Sequence, residues 1–343
     1  MSFGGPTMTT TWSVKAVGPP VLDVAKMRQG IETVLARVVA QMSPWVEDSD
    51  ISSFNRLEAG EWQSLPAEFS TVMRCALDVA ARSDGAFDPT SGGLVNAWGF
   101  GSHARFDAPG FTIPLDREIG HHPMGWNRLQ LDTDGRMLQP GGFVLNLSAI
   151  AKGFAVDAVS DYLLECGFAS HLVEIGGELR GSGVKPGLQP WWIAVEPPDA
   201  NCPLPPTRIA LNQLSVATSG DYRRFVSVNG KRLPHTIDPR TRRPVQHGLA
   251  SVTVLHESCM RADAWSTALM VLGPEAGLAC ADREGIMALL RWRTPAGAWS
   301  EAASRSWLSL ETYVECLEAV MGRRRVIPSA LSSYSWNPRI GTQ

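Results

Sequence analysis

The sequence predicts an α+β fold, because strand patterns occur in runs as well as in alternation with helical patterns. Short apolar runs rich in β-branched residues fill the middle of the chain, and amphipathic helical patterns lie before, between and after them. A doubly wound parallel sheet would alternate strands and helices more strictly. We therefore expect a mixed architecture rather than a parallel one.

The individual elements follow from periodicity and from turn-forming residues. Helical patterns cover residues 21–42, 66–82, 149–167, 260–272 and 274–284. Strand patterns cover residues 141–147, 171–177, 191–196, 214–220, 223–229, 249–256 and 286–292. Residues 43–55 and 83–101 are rich in turn-forming residues and are predicted loops, and long ordered loops in compact domains are usually functional.

Composition excludes several classes of protein. The 343 residues are 44% apolar, which is enough for a sizeable core, and a formal charge of −3 gives no reason to expect nucleic acid or an anionic membrane as the main partner. The six cysteines form no CxxC pair, which favours reduced thiols. No membrane span or signal-peptide pattern is visible. We expect a cytoplasmic protein, or a periplasmic one if an export signal is missing from this sequence.

The stretch RADAWSTALMVLG, residues 261–273, has the pattern of a buried helix that keeps two oxygen-bearing side chains, Asp263 and Thr267. Residues four apart lie one above the other on the same helix face, so this carboxylate and this hydroxyl address one point in space. Two hard oxygens at one point suit a hard cation. In the structural alternative, Asp263 caps the helix and Thr267 bonds a carbonyl of its own turn.

Two other stretches combine reactive groups with accessible positions. HTIDPRTRRPV, residues 235–245, places His235 in a loop, where an imidazole either accepts a proton near neutral pH or hydrogen-bonds a nearby carbonyl. AIAKGF, residues 149–154, places Lys152 near a helix start, where free N–H groups and the helix dipole favour an anion such as phosphate. The P-loop, GxGxxG, GxSxG and HExxH spacings do not occur, which counts against a serine hydrolase of the common type and against zinc.

Five blocks of the chain carry a specific resemblance. They are LNLSAIAKGFAVD (145–157), LVEIGGELRGSG (172–183), LSVATSGDYRRF (214–225), HTIDPRTRRPV (235–245) and CMRADAWSTALMVLG (259–273). In order and approximate spacing they resemble the FAD:protein FMN transferase family, often called ApbE. The pieces MTTTWSV, SPWVEDSDISSFN and GAFDPTSGGLVNAWGFG fit earlier blocks, so the resemblance runs from about residue 8 to about residue 290.

The resemblance implies a magnesium-dependent enzyme that transfers FMN from FAD to a threonine or serine hydroxyl of an acceptor flavoprotein and releases AMP. It implies two mixed α/β lobes around a cleft, similar to a T-fold, in one domain over residues 8–322, with a C-terminal extension at 323–343. Breaking a pyrophosphate is phosphoryl transfer, in which catalysis is mostly positioning plus neutralisation of oxygen charge by a metal. The residue chemistry and the resemblance therefore agree.

The family's motifs also imply roles for single residues. The expected magnesium ligands are Asp263, Thr267 and the backbone carbonyl of Ala149, with Ser266 contributing through a water. His235 is expected to take the proton of the acceptor hydroxyl, and the alternative is that it hydrogen-bonds a phosphate.

The positions that match FAD-binding ones are Met8 in the first strand, Trp45, Ala86, Phe87, Asp88, Asn146, Lys152 and Ile237, with Ser219 and Gly220 expected nearby. Trp45 offers a stacking face and Lys152 a charge or an N–H group. Plain core packing is the alternative for Met8, Phe87 and Ile237.

Four positions depart from the family pattern. Thr9 follows Met8 where glycine is usual, and the turn at Trp45 reads SPW where STY is commoner. Asn146 stands where aspartate is frequent, and it accepts and donates hydrogen bonds but carries no charge. Arg242 replaces the usual glycine of the RTGRP run, which alters the surface beside His235.

Two other functions fit the same residues. In an FAD pyrophosphatase, water replaces the acceptor and the products are FMN and AMP, with the same metal and base in use. A non-catalytic FAD-binding accessory protein for redox-enzyme maturation would hold FAD without turnover. Retention of Asp263, Thr267 and His235 speaks against this last function, because a carrier needs neither a metal nor a base.

Overall fold

The structure is a computed structural model that describes residues 1–18, 23–102, 105–108, 110–222, 225–228 and 231–310. Its helices are α1 (Val24–Met42), α2 (Asp50–Arg56), α3 (Ala67–Arg82), α4 (Gly92–Ala97), α5 (Asp116–Gly120), α6 (Ala151–Glu165), α7 (Cys259–Leu272) and α8 (Pro274–Glu284). Its strands are β1 (Ser2–Thr7), β2 (Thr10–Val17), β3 (Trp62–Ser64), β4 (Gln130–Leu131), β5 (Arg136–Leu138), β6 (Ser170–Ile175), β7 (Glu178–Ser182), β8 (Trp191–Ala194), β9 (Arg208–Leu211), β10 (Leu214–Gly220), β11 (Phe225–Val228), β12 (Lys231–Pro234), β13 (Ile237–Asp238), β14 (Arg243–Pro244), β15 (Leu249–His256), β16 (Met287–Arg293) and β17 (Trp299–Ala303).

The mixed α+β fold is confirmed, with an antiparallel sheet of eight strands at its centre. The strand order from edge to edge is β1-β2-β6-β7-β10-β15-β16-β17, so neighbours in the sheet follow one another along the chain. Between paired strands the chain leaves the sheet in four segments, which we call the excursions: 18–169, 183–213, 221–248 and 257–286. The excursions carry the helices α1 to α8.

The sheet is covered on both faces. On one face, Val252 and Val254 of β15 join the core formed with the helices, in which Trp265 of α7 is fully buried. On the other face, Leu255 of the same strand packs with Trp191 of β8 in a smaller cluster. Alternate residues of β15 therefore serve opposite layers, as the period of two in a strand requires.

Most of the predicted elements form. The patterns at 214–220, 249–256 and 274–284 become β10, β15 and α8 with the predicted bounds, and those at 66–82, 149–167 and 260–272 become α3, α6 and α7 with ends shifted by up to two residues. Of the pattern at 21–42, residues 24–42 form α1, and residues 21 and 22 lie outside the described residues, as does the extension expected at 323–343. None of the helices in the described ranges is long and apolar enough to cross a bilayer.

The strand expected at residues 141–147 is wrong. Its only sheet contact in the structure is one isolated bridge between Val144 and Ser91. Side chains from elsewhere take the hydrogen bonds that a strand partner would take: the Leu145 N–H donates to Asn55 Oδ1 at 2.7 Å, and the Phe143 N–H donates to Gln139 Oε1 at 3.0 Å. The segment 141–147 is therefore an extended stretch of chain that does not belong to a sheet.

Three local expectations also need correction. The loop expected at 83–101 contains the short helix α4, and the loop expected at 43–55 runs into α2, whose first turn is capped by Ser49 accepting from the Ser52 N–H at 3.2 Å. Met8 does not lie within a strand, because it occupies the turn between β1 and β2.

Candidate functional site

A cleft of about 970 Å³ brings the predicted site residues together. Those that line it are Met8, Trp45, Ala86, Phe87, Asp88, Asn146, Ala149, Lys152, Ser219, Gly220, His235, Ile237, Asp263 and Thr267. Ser266 is the exception, since it is 1% exposed and lies behind this surface. Residues that are far apart in sequence therefore share one cavity large enough for a dinucleotide-sized ligand.

The close contact of α6 with α7 forms one wall of this cleft. A Cβ atom at Gly153 would lie 2.3 Å from the Cys259 carbonyl oxygen and 2.8 Å from Asp263 Cβ, so only glycine permits this approach. The Gly153 N–H belongs to the first turn of α6 and donates to Asp263 Oδ2 at 3.1 Å. The α7 carboxylate is thus oriented by the start of α6.

The structural alternative for Asp263 and Thr267 is wrong. Asp263 lies in the second turn of α7, and the N-cap of that helix is Ser258, whose hydroxyl accepts from the Arg261 N–H at 3.3 Å. The Thr267 hydroxyl lies 3.1 Å from Ser219 Oγ on β10. Ser266 instead bonds its own turn, donating to the Asp263 carbonyl at 2.9 Å.

Hydroxyl groups from β10 and α7 form a small cluster beside Asp263. Ser219 Oγ lies 2.8 Å from Ser266 Oγ and 3.1 Å from Thr267 Oγ1. Ser266 is therefore a support for Ser219 and Thr267 rather than a group that faces the cleft. The cluster fixes the rotamer of Thr267, which lines the cleft together with Asp263.

Three charged side chains meet in the cleft, and one of them was missed in the sequence. Glu178, 4% exposed, begins β7 directly after the Gly176-Gly177 turn, and its Oε1 accepts from Lys152 Nζ at 2.6 Å. The same ammonium lies 3.9 Å from Asp263 Oδ1. The sequence does contain a signal for Glu178, since it is an acidic residue directly after a Gly-Gly turn and at the start of a strand.

Burial and mutual attraction determine the protonation of this group. Burial raises the pKa of both carboxyl groups, Asp263 and Glu178, and the Lys152 ammonium opposes that rise. Burial alone would lower the pKa of Lys152, but the carboxylates of Asp263 and Glu178 outweigh it and raise that pKa. Lys152 is therefore a permanent cation in the cleft.

The donor set fits a magnesium ion that is bound mainly by its substrate. Over the described part of the chain, no three His, Cys, Asp or Glu side chains gather as a metal cage. One carboxylate, one hydroxyl and the Ala149 carbonyl line the cleft instead, and Mg²⁺ commonly takes few protein oxygens and keeps sites for water and phosphate. The carboxyl groups of Asp263 and Glu178 outnumber the one ammonium beside them, so the site has acidic oxygens that a cation can use.

His235 lies between β12 and β13 on another wall of the cleft. The imidazole is half-buried, and its ring stands edge-on to Phe100 with centroids 6.3 Å apart. The following turn is fixed by Asp238, whose carboxylate accepts from the Arg240 backbone and from its guanidinium, each at 2.9 Å. The loop position expected from the sequence is thus a structured turn.

Two departures from the family pattern fall at strained backbone. Met8 and Thr9 have φ values of +46° and +59°, in a turn where Asn and Gly are favoured. Arg242 has φ +62°, the conformation for which glycine is preferred, and its guanidinium donates to the carbonyls of Ile119, Gly120 and His122 at 3.2–3.3 Å. Those bonds offset the backbone strain at Arg242.

The remaining predicted FAD contacts differ in how much of each side chain is available. Trp45 is 45% exposed and presents an open ring, whereas Phe87 and Ile237 are at most 7% exposed and also belong to apolar clusters. Asn146 Oδ1 already accepts from the Ser148 N–H at 3.0 Å. Asp88 is similarly engaged, because it accepts from Thr90 at 2.8 and 2.6 Å and from the Trp126 N–H at 3.2 Å.

Comparison with known proteins agrees with this arrangement. The model of the ApbE family matches residues 8–290. A FAD:protein FMN transferase of Vibrio cholerae is 38% identical over 308 residues, which are 89% of this chain and 91% of that protein. A FAD:protein FMN transferase of Haemophilus influenzae is 36% identical over 315 residues, 89% of this chain and 90% of that protein.

Solved structures give the same result. The apo form of the flavinyl transferase ApbE from Pseudomonas stutzeri superposes with a TM-score of 0.83 at 37% identity, covering 90% of this chain and 96% of that one. The flavin transferase ApbE from Vibrio cholerae gives a TM-score of 0.82 at 36% identity, with 90% and 98% covered. From its sequence and its fold alike, this chain belongs to the ApbE family.

Proposed function

We propose that this protein transfers FMN from FAD to a threonine or serine hydroxyl of an acceptor flavoprotein, with magnesium as its metal and AMP as the second product. The observation that carries the proposal is the single cleft in which Asp263 and Thr267 lie with Lys152 and His235. The names of the relatives, FAD:protein FMN transferase, support the same activity. We also propose that the two mixed lobes around this cleft form one domain, similar to a T-fold.

The chemistry divides among the residues of the cleft. Asp263, Thr267 and the Ala149 carbonyl would hold the magnesium ion, which supplies charge neutralisation to the phosphate oxygens. Lys152, fixed at the first turn of α6, binds the pyrophosphate through its ammonium, and the dipole of that helix favours the same anion. These contacts hold the flavin-side phosphorus in place for attack.

His235 is the proton acceptor in this proposal. The acceptor hydroxyl oxygen forms a bond to the flavin-side phosphorus, the bond between that phosphorus and the bridging oxygen breaks, and AMP leaves. The hydroxyl proton passes to the imidazole, because histidine is a side chain that can accept a proton near neutral pH. The half-buried position of His235 on the cleft wall gives it access to a hydroxyl group that enters from solvent.

The first experiment is an incubation with FAD and magnesium, with and without a threonine-containing flavin-acceptor domain. AMP is followed by chromatography and the acceptor by intact mass. The proposal expects one AMP per FMN-sized mass gain, with both lost in Asp263→Ala and in His235→Ala. AMP without any acceptor modification would favour the pyrophosphatase, and FAD binding without AMP under any divalent metal would favour the non-catalytic accessory protein.

A further inference from the structure

Lys152 lies between two carboxylates and is much closer to one of them. Its Nζ is 2.6 Å from Glu178 Oε1, a short charge-assisted hydrogen bond, and 3.9 Å from Asp263 Oδ1, which is beyond hydrogen-bond distance. A cation bound at Asp263 needs the lone pairs of that carboxylate. An ammonium that moved onto Asp263 would compete with the cation for the same oxygen and would cancel its charge.

The fold fixes the position of Glu178 more firmly than that of Lys152. Ile175 and Glu178 are the closing pair of the β6–β7 hairpin, whose two turn residues, Gly176 and Gly177, have φ values of +62° and +106°. The Glu178 side chain is 5% exposed, whereas the Lys152 side chain is 28% exposed and ends a flexible four-carbon stem. The carboxylate is therefore the anchor, and the lysine is the group that is held.

The nearest arginine on β7 does not compete with Lys152 for the Glu178 carboxylate. Arg180, the next residue on the same face of β7, is already engaged with Asp157 Oδ1 at 2.7 Å. Within the described part of the chain, the second oxygen of Glu178, Oε2, is buried without a hydrogen-bond partner. A buried carboxylate with one unsatisfied oxygen is costly, which requires an explanation beyond the stability of the fold.

We propose that Glu178 is a positioning residue of this site, whose carboxylate holds the Lys152 ammonium away from Asp263 and so keeps Asp263 available to a divalent cation. The inference rests on the proposed metal role of Asp263. It assigns Glu178 an effect that operates through Lys152, so that removing Lys152 makes Glu178 dispensable for metal binding. A direct ligand would be needed whether or not the lysine is present.

The test is a double-mutant cycle with Mn²⁺ as the probe, measured by electron paramagnetic resonance on the full chain without FAD. Glu178→Gln keeps the shape of the side chain but removes its charge, and it is expected to weaken Mn²⁺ binding by about 10- to 100-fold, the range typical of groups that orient metal ligands. Lys152→Met is expected to bind Mn²⁺ at least as tightly as the parent. The double variant is expected to return to within about threefold of Lys152→Met.

Each outcome separates the inference from the proposed function. No Mn²⁺ binding by the parent protein would overturn the metal site and the inference together, and equal binding by the parent and Glu178→Gln would overturn the inference alone. A double variant as weak as Glu178→Gln would also overturn it, because Glu178 would then be a ligand itself. If Glu178→Gln fails to fold, Lys152→Met and the double variant decide: equal affinity supports the inference, and a further loss in the double variant overturns it.

Discussion

Two aspartates lie in the contact between α6 and α7, and they differ in how many donors surround them. Asp157 of α6 accepts four bonds at 2.7–3.0 Å, from Arg180, from the Ser258 hydroxyl and from the N–H groups of Cys259 and Met260. Asp263 of α7 accepts one, from an N–H of α6, with an ammonium 3.9 Å away. Each helix thus supplies a carboxylate to the N-terminal turn of the other.

The number of donors separates the two roles. The Asp157 carboxylate accepts hydrogen bonds from the first turn of α7 and from Arg180, which leaves it little capacity for another ligand. It therefore stabilises the contact between the two helices. Asp263 faces the cleft with capacity left over, which a cation can use. The number of hydrogen-bond donors around a carboxylate in a helix contact therefore indicates whether it is structural or available to a cation. Burial of the carboxylate alone does not distinguish these two roles.

The largest expected effect comes from Asp263→Asn. The carboxamide still accepts the Gly153 N–H, so the free energy of unfolding should change by less than about 1 kcal/mol. AMP formation should fall at least about 100-fold, because the proposed metal would lose its charged ligand. Urea denaturation and AMP release measured side by side check this. A variant that keeps more than a tenth of the activity would contradict the assigned role.

Asp157→Asn should have the opposite profile. Loss of the negative charge weakens bonds to an arginine and to the start of α7, and we expect a loss of about 2 kcal/mol or more in the free energy of unfolding. Once the protein is folded, Mn²⁺ affinity should stay within about threefold of the parent. A stable Asp157→Asn protein with lost Mn²⁺ binding would show that the comparison between the two aspartates is wrong.

Gly153→Ala should disturb both carboxylates together. The new methyl group would press on the Cys259 carbonyl and on Asp263 Cβ, and such overpacking typically costs about 1–3 kcal/mol. The matched control is Gly120→Ala in α5, since a Cβ there meets nothing within 4 Å. Thermal unfolding of both variants checks the prediction, and equal melting temperatures would mean that the two helices can separate without cost.

The smallest expected effect is a dependence of the free energy of unfolding on pH, which arises from a histidine that packs against α6. His171 of β6 is fully buried, with Nδ1 2.7 Å from the Phe168 carbonyl and Nε2 2.7 Å from the Ser160 hydroxyl of α6. Burial lowers the pKa of this imidazole, so below about pH 6.5 the unfolded chain binds more protons than the folded one. Its contribution to stability is therefore complete above about pH 6.5 and is lost as the pH falls toward the folded-state pKa.

His171→Gln isolates this contribution, because glutamine can donate to one partner and accept from the other but does not titrate. We expect the difference in free energy of unfolding between the parent and His171→Gln to shrink as the pH falls from 7 to 5, by at most about 1.4 kcal/mol per pH unit. Denaturation curves at four pH values provide the measurement. A difference that is independent of pH would show that His171 does not titrate on unfolding.

The sequence predicted best where the information is local. The four-residue spacing of Asp263 and Thr267 on a helix is enough to place both on one face, and both line the cleft. The longer helices and strands such as β10 and β15 carry their own periodicity, so their positions were largely predictable, whereas β2 was not among the strands predicted from periodicity. Ser266 does not line the cleft, and its hydroxyl bonds Ser219 and its own turn, so its contribution through a water stays a prediction.

What the sequence did not indicate depends on partners that are distant along the chain. The strand at 141–147 fails in part because Asn55, about 90 residues earlier, takes the backbone hydrogen bonds of Leu145. Asp157 has its partners about 100 residues later, at the start of α7. Glu178 follows a Gly-Gly turn that is visible in the sequence, but its pairing with Lys152 depends on how β7 lies against α6. Such pairings follow from the strand order, which periodicity does not reveal.

The strand order has a consequence for how this architecture tolerates change. Since each strand pairs with the next sheet strand along the chain, the hydrogen-bond register of the sheet is independent of the length and content of the excursions. His235 lies within the excursion 221–248, whereas Asp263 and Thr267 lie within 257–286. A change in the length of one of these excursions therefore leaves the strand pairing of the sheet, and the excursion that carries the other part of the proposed site, in place.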